Sequence, residues 1–257
     1  MDWLQSPELD AETAARLPTA RRRLLPARRR AARARTPEAS VFMQAATCPA
    51  AIVLLIDASA SVPDRMYLAQ RDGTAAAFED PRLTRRLKTS GPLAVLVAEF
   101  AFVPLVRLEW TVVRDAEDAR RFAADFRGLR RSGWNGNTAI GHALAFAVQE
   151  LVASPCAAGL RIIDISTDGV ETNPRVPARD ARDSAAAEGI VVNAIAFPTG
   201  LVEGADDRDK LLAEAARWLR ENVATGFVRV ADRPAGFLEA FREKVVFEIA
   251  QLPDLAT

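Results

Sequence analysis

Histidine is almost missing from this chain: there is one, His142, beside two cysteines and three lysines in 257 residues. Cys48 and Cys156 lie far apart and neither neighbours the histidine. No zinc cluster of His and Cys ligands and no His-centred nucleophilic triad can therefore be assembled from adjacent positions. The lysines, Lys88, Lys210 and Lys244, fall away from every strand end, which leaves lysine-dependent chemistry without a donor. No apolar run is long enough to span a bilayer. No apolar core of about 7 to 15 residues follows the first arginines before Pro37, so a standard signal peptide is not supported. The expectation from that absence is a cytoplasmic chain, with export as the alternative.

What is present is an ordinary globular composition, 49% hydrophobic and 26% charged, enough to bury a sizeable core. The formal net charge of zero conceals an asymmetry. Nine arginines and no acids occur between Arg16 and Arg35, so the remainder carries a formal charge of −9. Pro18 and Pro26 interrupt that arm and it has little apolar periodicity, which gives residues 1–49 the reading of a disordered, solvated extension to a domain at 50–257. Contact with nucleic acid or an anionic membrane through the arginines is the functional alternative.

The domain is organised around AIVLLIDASAS, residues 51–61. A continuous apolar, β-branched run predicts a strand covered on both faces, and Asp57, Ser59 and Ser61 stand at its carboxyl end, where open α/β sheets place ligand sites. A carboxylate with two hydroxyls, and no Cys or His beside it, suits a hard cation such as Mg²⁺. Strand-end Asp and Ser also serve as ordinary turn and cap residues, and the motif alone leaves both readings open. Two distant segments favour the cation: GNTAIGHALAFA places Thr138 at a helix start, and RIIDISTDG ends a second apolar strand on Asp168.

D-x-S-x-S, a later Thr and a later Asp together resemble the metal ion-dependent adhesion site of von Willebrand factor type A domains. The resemblance covers the chain from about Ala50 to the closing FREKVVFEIA, and is nearest to an uncharacterised bacterial branch. It implies direct Mg²⁺ coordination by Ser59, Ser61 and Thr138, with Mn²⁺ able to substitute, and Asp57 and Asp168 acting through bound water. It also implies a partner protein whose Asp or Glu completes the metal shell, and no enzymatic turnover. Ala60 stands where the family often has Gly. If, as the resemblance implies, the strands near Ala51 and Leu160 are neighbours, Cys48 and Cys156 meet at the opposite sheet edge; without an export signal, free thiols are expected.

Alternating strand and helix patterns along the rest predict a doubly wound, mostly parallel α/β sheet with helices on both faces. Leu93–Phe102 and Val106–Val113 read as a hairpin that supplies one antiparallel edge strand. Within it, Glu99 reads as a strand-end acid paired with an arginine. Thr138–Val152 is expected to begin on a residue that is both cap and ligand, and 198–209 is expected to be a surface excursion. Trp134 and Asn173, on loops facing the site, are the candidate partner-binding residues. Two competing functions remain: a vestigial, metal-free interaction domain, and a phosphotransferase resembling the haloacid dehalogenase type, with Asp57 as nucleophile.

Overall fold

Ala50–Asp57 forms a strand (β1) in which every residue is buried. Alternate side chains enter opposite layers: Ile52 and Leu54 join one apolar cluster, Val53 and Leu55 the other. Two-sided covering is what a continuous apolar run requires, since each fully buried aliphatic side chain contributes about 1.5–3 kcal/mol only when water is kept from it. The structure, a computed structural model, describes residues 48–132, 136–172, 174–232 and 236–250. The arginine arm, Trp134 and Asn173 lie outside the described residues.

From β1 the chain runs through α1 (Asp64–Phe78), α2 (Pro81–Ser90), β2 (Leu93–Phe100), β3 (Pro104–Val113), α3 (Ala116–Gly128) and α4 (Ile140–Val152). It continues with β4 (Leu160–Thr167), α5 (Ala178–Ala187), β5 (Ile190–Ala196), α6 (Ala205–Asn222), β6 (Val228–Val230) and α7 (Phe237–Ala250). The sheet order is β3-β2-β1-β4-β5-β6. Only β3 is antiparallel to its neighbour, the edge strand expected of the hairpin. Helices α1, α2, α3 and α7 cover one face, and α4, α5 and α6 the other. The order reverses between β1 and β4, so the chain leaves their carboxyl ends in opposite directions and opens a crevice there.

Local sequence explains the starts of α2 and α3. Asp115 accepts hydrogen bonds from Glu117 and Asp118 N and caps α3, whose Ala119, Phe122, Ala123 and Phe126 are buried as their spacing predicts. Gly73 sits mid-helix in α1, and a Cβ there would lie 2.5 Å from Leu238 O and 2.7 Å from Phe241 Cβ. Its place in a helix is the condition for the close α1–α7 contact.

No expectation covered α2, and two expectations are corrected. Helix α2 follows Asp80 and Pro81, a capping residue and an N1 proline that mark a helix start. Helix α4 begins after Thr138; Ala139 holds the N-cap position without a side-chain cap. Helix α6 starts at Ala205, and the segment before it runs over the surface as expected, with Leu201 exposed and only Thr199 buried. Cys48 and Cys156 are bonded to each other, with Cα atoms 5.4 Å apart. Parallel pairing of Ala50 with Leu160 sets the two cysteines side by side at the amino ends of β1 and β4.

Candidate metal centre

Asp57 is the last residue of β1 and is completely buried. Its Oδ1 accepts from Ser59 N at 2.8 Å and its Oδ2 from the Thr167 hydroxyl at 2.6 Å. Gln70, on α1, brackets the Asp57 backbone: Oε1 accepts from Asp57 N at 3.2 Å and Nε2 donates to Asp57 O at 3.1 Å. Burial raises the Asp57 pKa above the ordinary aspartate value, opposed by the hydrogen bonds from Ser59 and Thr167.

The turn after Asp57 brings the two serines together. Ser59 Oγ and Ser61 Oγ are 3.2 Å apart, and Ser61 Oγ donates to Asp168 Oδ1 at 2.8 Å. The other oxygen of Asp168, Oδ2, is buried and meets no hydrogen-bond donor among the described residues. Burial first, then the negative charge of Asp57, pushes the Asp168 pKa up to about 7. Thr138 is buried and lines the same pocket as Ser61 and Asp168. Ser61, Thr138 and Asp168 therefore line one crevice at the β1/β4 switch point, with Ser59 beside Ser61 and Asp57 buried behind them.

Residues the sequence reading overlooked hold this arrangement. Arg131 donates to the carbonyls of Ser59 (2.6 Å), Val62 (2.9 Å) and Ala58 (3.2 Å), and so clamps the serine loop from behind. Ser132 N donates to Glu99 at 2.9 Å, and Glu99 is paired with Arg107 and accepts from Tyr67 Oη. The arginine-paired reading of Glu99 was right, and the residue anchors the loop carrying Arg131. Gly200 N donates to Ser61 O at 2.9 Å.

A second clamp fixes Thr138 against the Asp168 loop. Thr138 N donates to Thr172 Oγ1 at 2.9 Å, and Thr172 N donates to Thr138 O at 2.9 Å. Glu171 accepts from Gly141 N at 2.6 Å and Ala178 N at 3.0 Å, capping α4 and α5 together. Both helices lack a capping side chain of their own, which leaves orphan donors at their starts. That deficit was a readable signal for an outside acceptor. Gly141 permits the approach, since a Cβ there would lie 2.0 Å from Val176 O.

With three hydroxyls and two carboxylates, the donor set is hard and oxygen-only. Among the described residues no cluster of three His, Cys, Asp or Glu offers a different metal centre. A buried carboxylate oxygen without a donor, next to a second buried carboxylate, is the environment a small divalent cation relieves.

Residues 47–253 match the family described as protein of unknown function (DUF1194). The chain belongs to that family. Solved structures share the fold at low identity. Proximal thread matrix protein 1 from the mussel byssus is 18% identical, with 79% of this chain and 48% of that chain covered and a TM-score of 0.57. The pilus adhesin SpaC from Lactobacillus rhamnosus GG is 15% identical over 80% of this chain and 31% of that one, with a TM-score of 0.57. The vWF domain of the type V pili tip protein Mfa5 from Porphyromonas gingivalis is 14% identical over 82% of this chain and 98% of that one, with a TM-score of 0.56. The chain spans about half the byssus protein, and a further structure of that protein carries a zinc-occupied MIDAS motif. No curated protein matches the chain. The fold of this DUF1194 member is that of von Willebrand factor type A domains.

Proposed function

We propose that this domain binds a partner protein through a divalent cation, Mg²⁺ with Mn²⁺ able to replace it, held by Ser59, Ser61 and Thr138 and steadied by Asp57 and Asp168. The observation that carries the reading is Asp168 Oδ2, buried without a donor beside Asp57, in a pair to which the described residues contribute no cationic side chain. When bound, the cation supplies an electrophilic centre with room for an acidic side chain from outside, because Mg²⁺ takes six oxygens. Hydroxyl ligands leave it under-neutralised, which favours an anionic sixth partner. The chain's own part is to hold that site open: Arg131 fixes the serine loop, and Glu171 with Thr172 fixes Thr138.

The phosphotransferase alternative meets an obstacle in the same geometry. Asp57 is fully buried with both oxygens engaged, so it is shielded from an incoming phosphoryl group. Lys244 is committed to Asp164 and Glu248. The bonded Cys48–Cys156 pair supports the exported alternative over the cytoplasm, since disulfides persist in oxidising compartments.

Calorimetric titration of Mg²⁺ and Mn²⁺ in the presence of acetate tests the reading. Ser61→Ala and Thr138→Ala should stay folded and bind the ions at least about tenfold more weakly, and Asp57→Ala should lose more, because it also removes the nearest compensating charge. Wild-type protein that takes up neither ion with acetate present would sink the metal reading and leave the vestigial domain in its place.

A further inference from the structure

The proposed cation site shares a groove with a set of apolar side chains. Ser61, Thr138 and Asp168 form one end; Val170 comes from the loop after β4, Leu201 from the loop after β5, and Leu211 and Ala215 from α6. Its volume is about 200 Å³, below the roughly 300–1,000 Å³ of small-molecule pockets, and better matched to one inserted side chain than to a free ligand. Leu201 is 73% exposed, the most exposed large apolar side chain among the described residues. Leu201 does not stand alone: Val170, Leu211 and Ala215 line the same groove, so the exposed apolar surface is continuous with it. Glu214, exposed on α6, stands on the same groove and is the only charged lining residue besides Asp168 among the described residues.

We infer that the partner presents an acidic residue followed directly by a large aliphatic one, the acid meeting the cation and the aliphatic side chain seated between Val170, Leu201 and Leu211. The inference rests on the cation reading above and adds the identity of the neighbouring residue. Charge decides which neighbour fits. A second acid beyond the first would face Glu214 without a counterion, whereas an aliphatic side chain removes Leu201 and Val170 from water at no electrostatic cost. A glycine in that position would leave the groove wet and forgo the burial.

The test uses the full chain saturated with Mg²⁺ and three capped tetrapeptides, Gly-Asp-Leu-Gly, Gly-Asp-Gly-Gly and Gly-Asp-Glu-Gly, with affinities read from chemical-shift titration. Burying one leucine side chain is expected to make the Asp-Leu peptide bind roughly tenfold tighter than the Asp-Gly peptide, with the Asp-Glu peptide weakest. Leu201→Ser and, separately, Val170→Ser should remove the Asp-Leu advantage and leave Mg²⁺ and acetate binding unchanged. Glu214→Gln should recover part of the Asp-Glu affinity. Equal affinities for the Asp-Leu and Asp-Gly peptides in protein that binds Mg²⁺ and acetate would overturn this inference and spare the cation site. Failure of wild-type protein to bind Mg²⁺ with acetate present would overturn both.

Discussion

Asp164 and Asp168 stand four residues apart along the end of one strand, each with a second acid close by, and the protein treats them in opposite ways. Asp164 is met by Lys244 from α7, which also donates to Glu248 at 3.5 Å, so the two acids share a buried cation supplied by the chain. Asp168 faces Asp57 with only hydroxyl and backbone donors nearby and keeps one oxygen without a donor among the described residues. Burial costs a carboxylate several kcal/mol in either place. At Asp164 a lysine of the chain offsets part of that cost, although Glu248 Oε2 also lacks a partner among the described residues; at Asp168 no lysine or arginine of the described residues forms an ion pair. The first arrangement stabilises α7 on the sheet; the second is the one on which the proposed cation site rests.

Removing the internal cation should give the largest effect. Lys244→Met removes the cation that Asp164 and Glu248 share, leaving only the more distant charge of Arg229 acting on Glu248, and should destabilise the domain by roughly 3–5 kcal/mol in urea unfolding, with recovery when both acids are also made amides. A loss below about 1 kcal/mol would erase the contrast between the two sites. Next in size is the staple at the other end of the same strands. Reducing Cys48–Cys156, which closes a long loop with a sequence separation of 108, should lower stability by about 2–4 kcal/mol. Complete alkylation of both thiols without reductant, read by intact mass, would show that no bond forms.

The open site should announce itself through pH. An aspartate whose folded pKa is raised to about 7 binds more protons folded than unfolded between about pH 4 and 7, so the metal-free domain should lose stability as pH rises through that window. A fall of about 2 kcal/mol between pH 5.5 and 8 is expected, absent in Asp168→Asn. Mg²⁺ should restore stability more at pH 8 than at pH 5.5, because protons compete for the same oxygens. Thermal unfolding at matched ionic strength checks both trends.

The smallest effect on stability belongs to the clamp. Glu171→Ala removes two helix caps and should cost about 1–2 kcal/mol, while weakening Mg²⁺ binding roughly tenfold through Thr138. Glu171→Gln retains one acceptor and should fall between the two. Unchanged Mg²⁺ affinity in both variants would confine Glu171 to capping.

Reading the chain gave the strands and most helices because their signals are local. Period and composition mark β1, Asp115 marks the start of α3, and the residues Asp57, Ser59, Ser61, Thr138 and Asp168 could be picked out by type and order. Helix α2 carries a local signal as well, in the cap Asp80 and the following Pro81. Other features had no local signature. Thr167 is an ordinary strand residue until the adjacent strand puts Asp57 Oδ2 against its hydroxyl. Arg131 is one arginine among many until the loop folds back onto the carbonyls of Ala58 and Ser59.

By itself, then, the sequence determined which atoms could serve a cation and that a parallel sheet would carry them, since donor chemistry and hydrophobic periodicity belong to single residues and short segments. Tertiary structure alone decided which acid received a lysine, which oxygen was left bare, and that two cysteines would meet. Those outcomes depend on register between strands distant in sequence and on which helix lies over each face. Asp164 and Asp168 are both aspartates at strand-forming positions. Only the arrival of α7 over one of them, and of an open crevice beside the other, makes the first part of a structural ion pair and leaves the second lining a pocket.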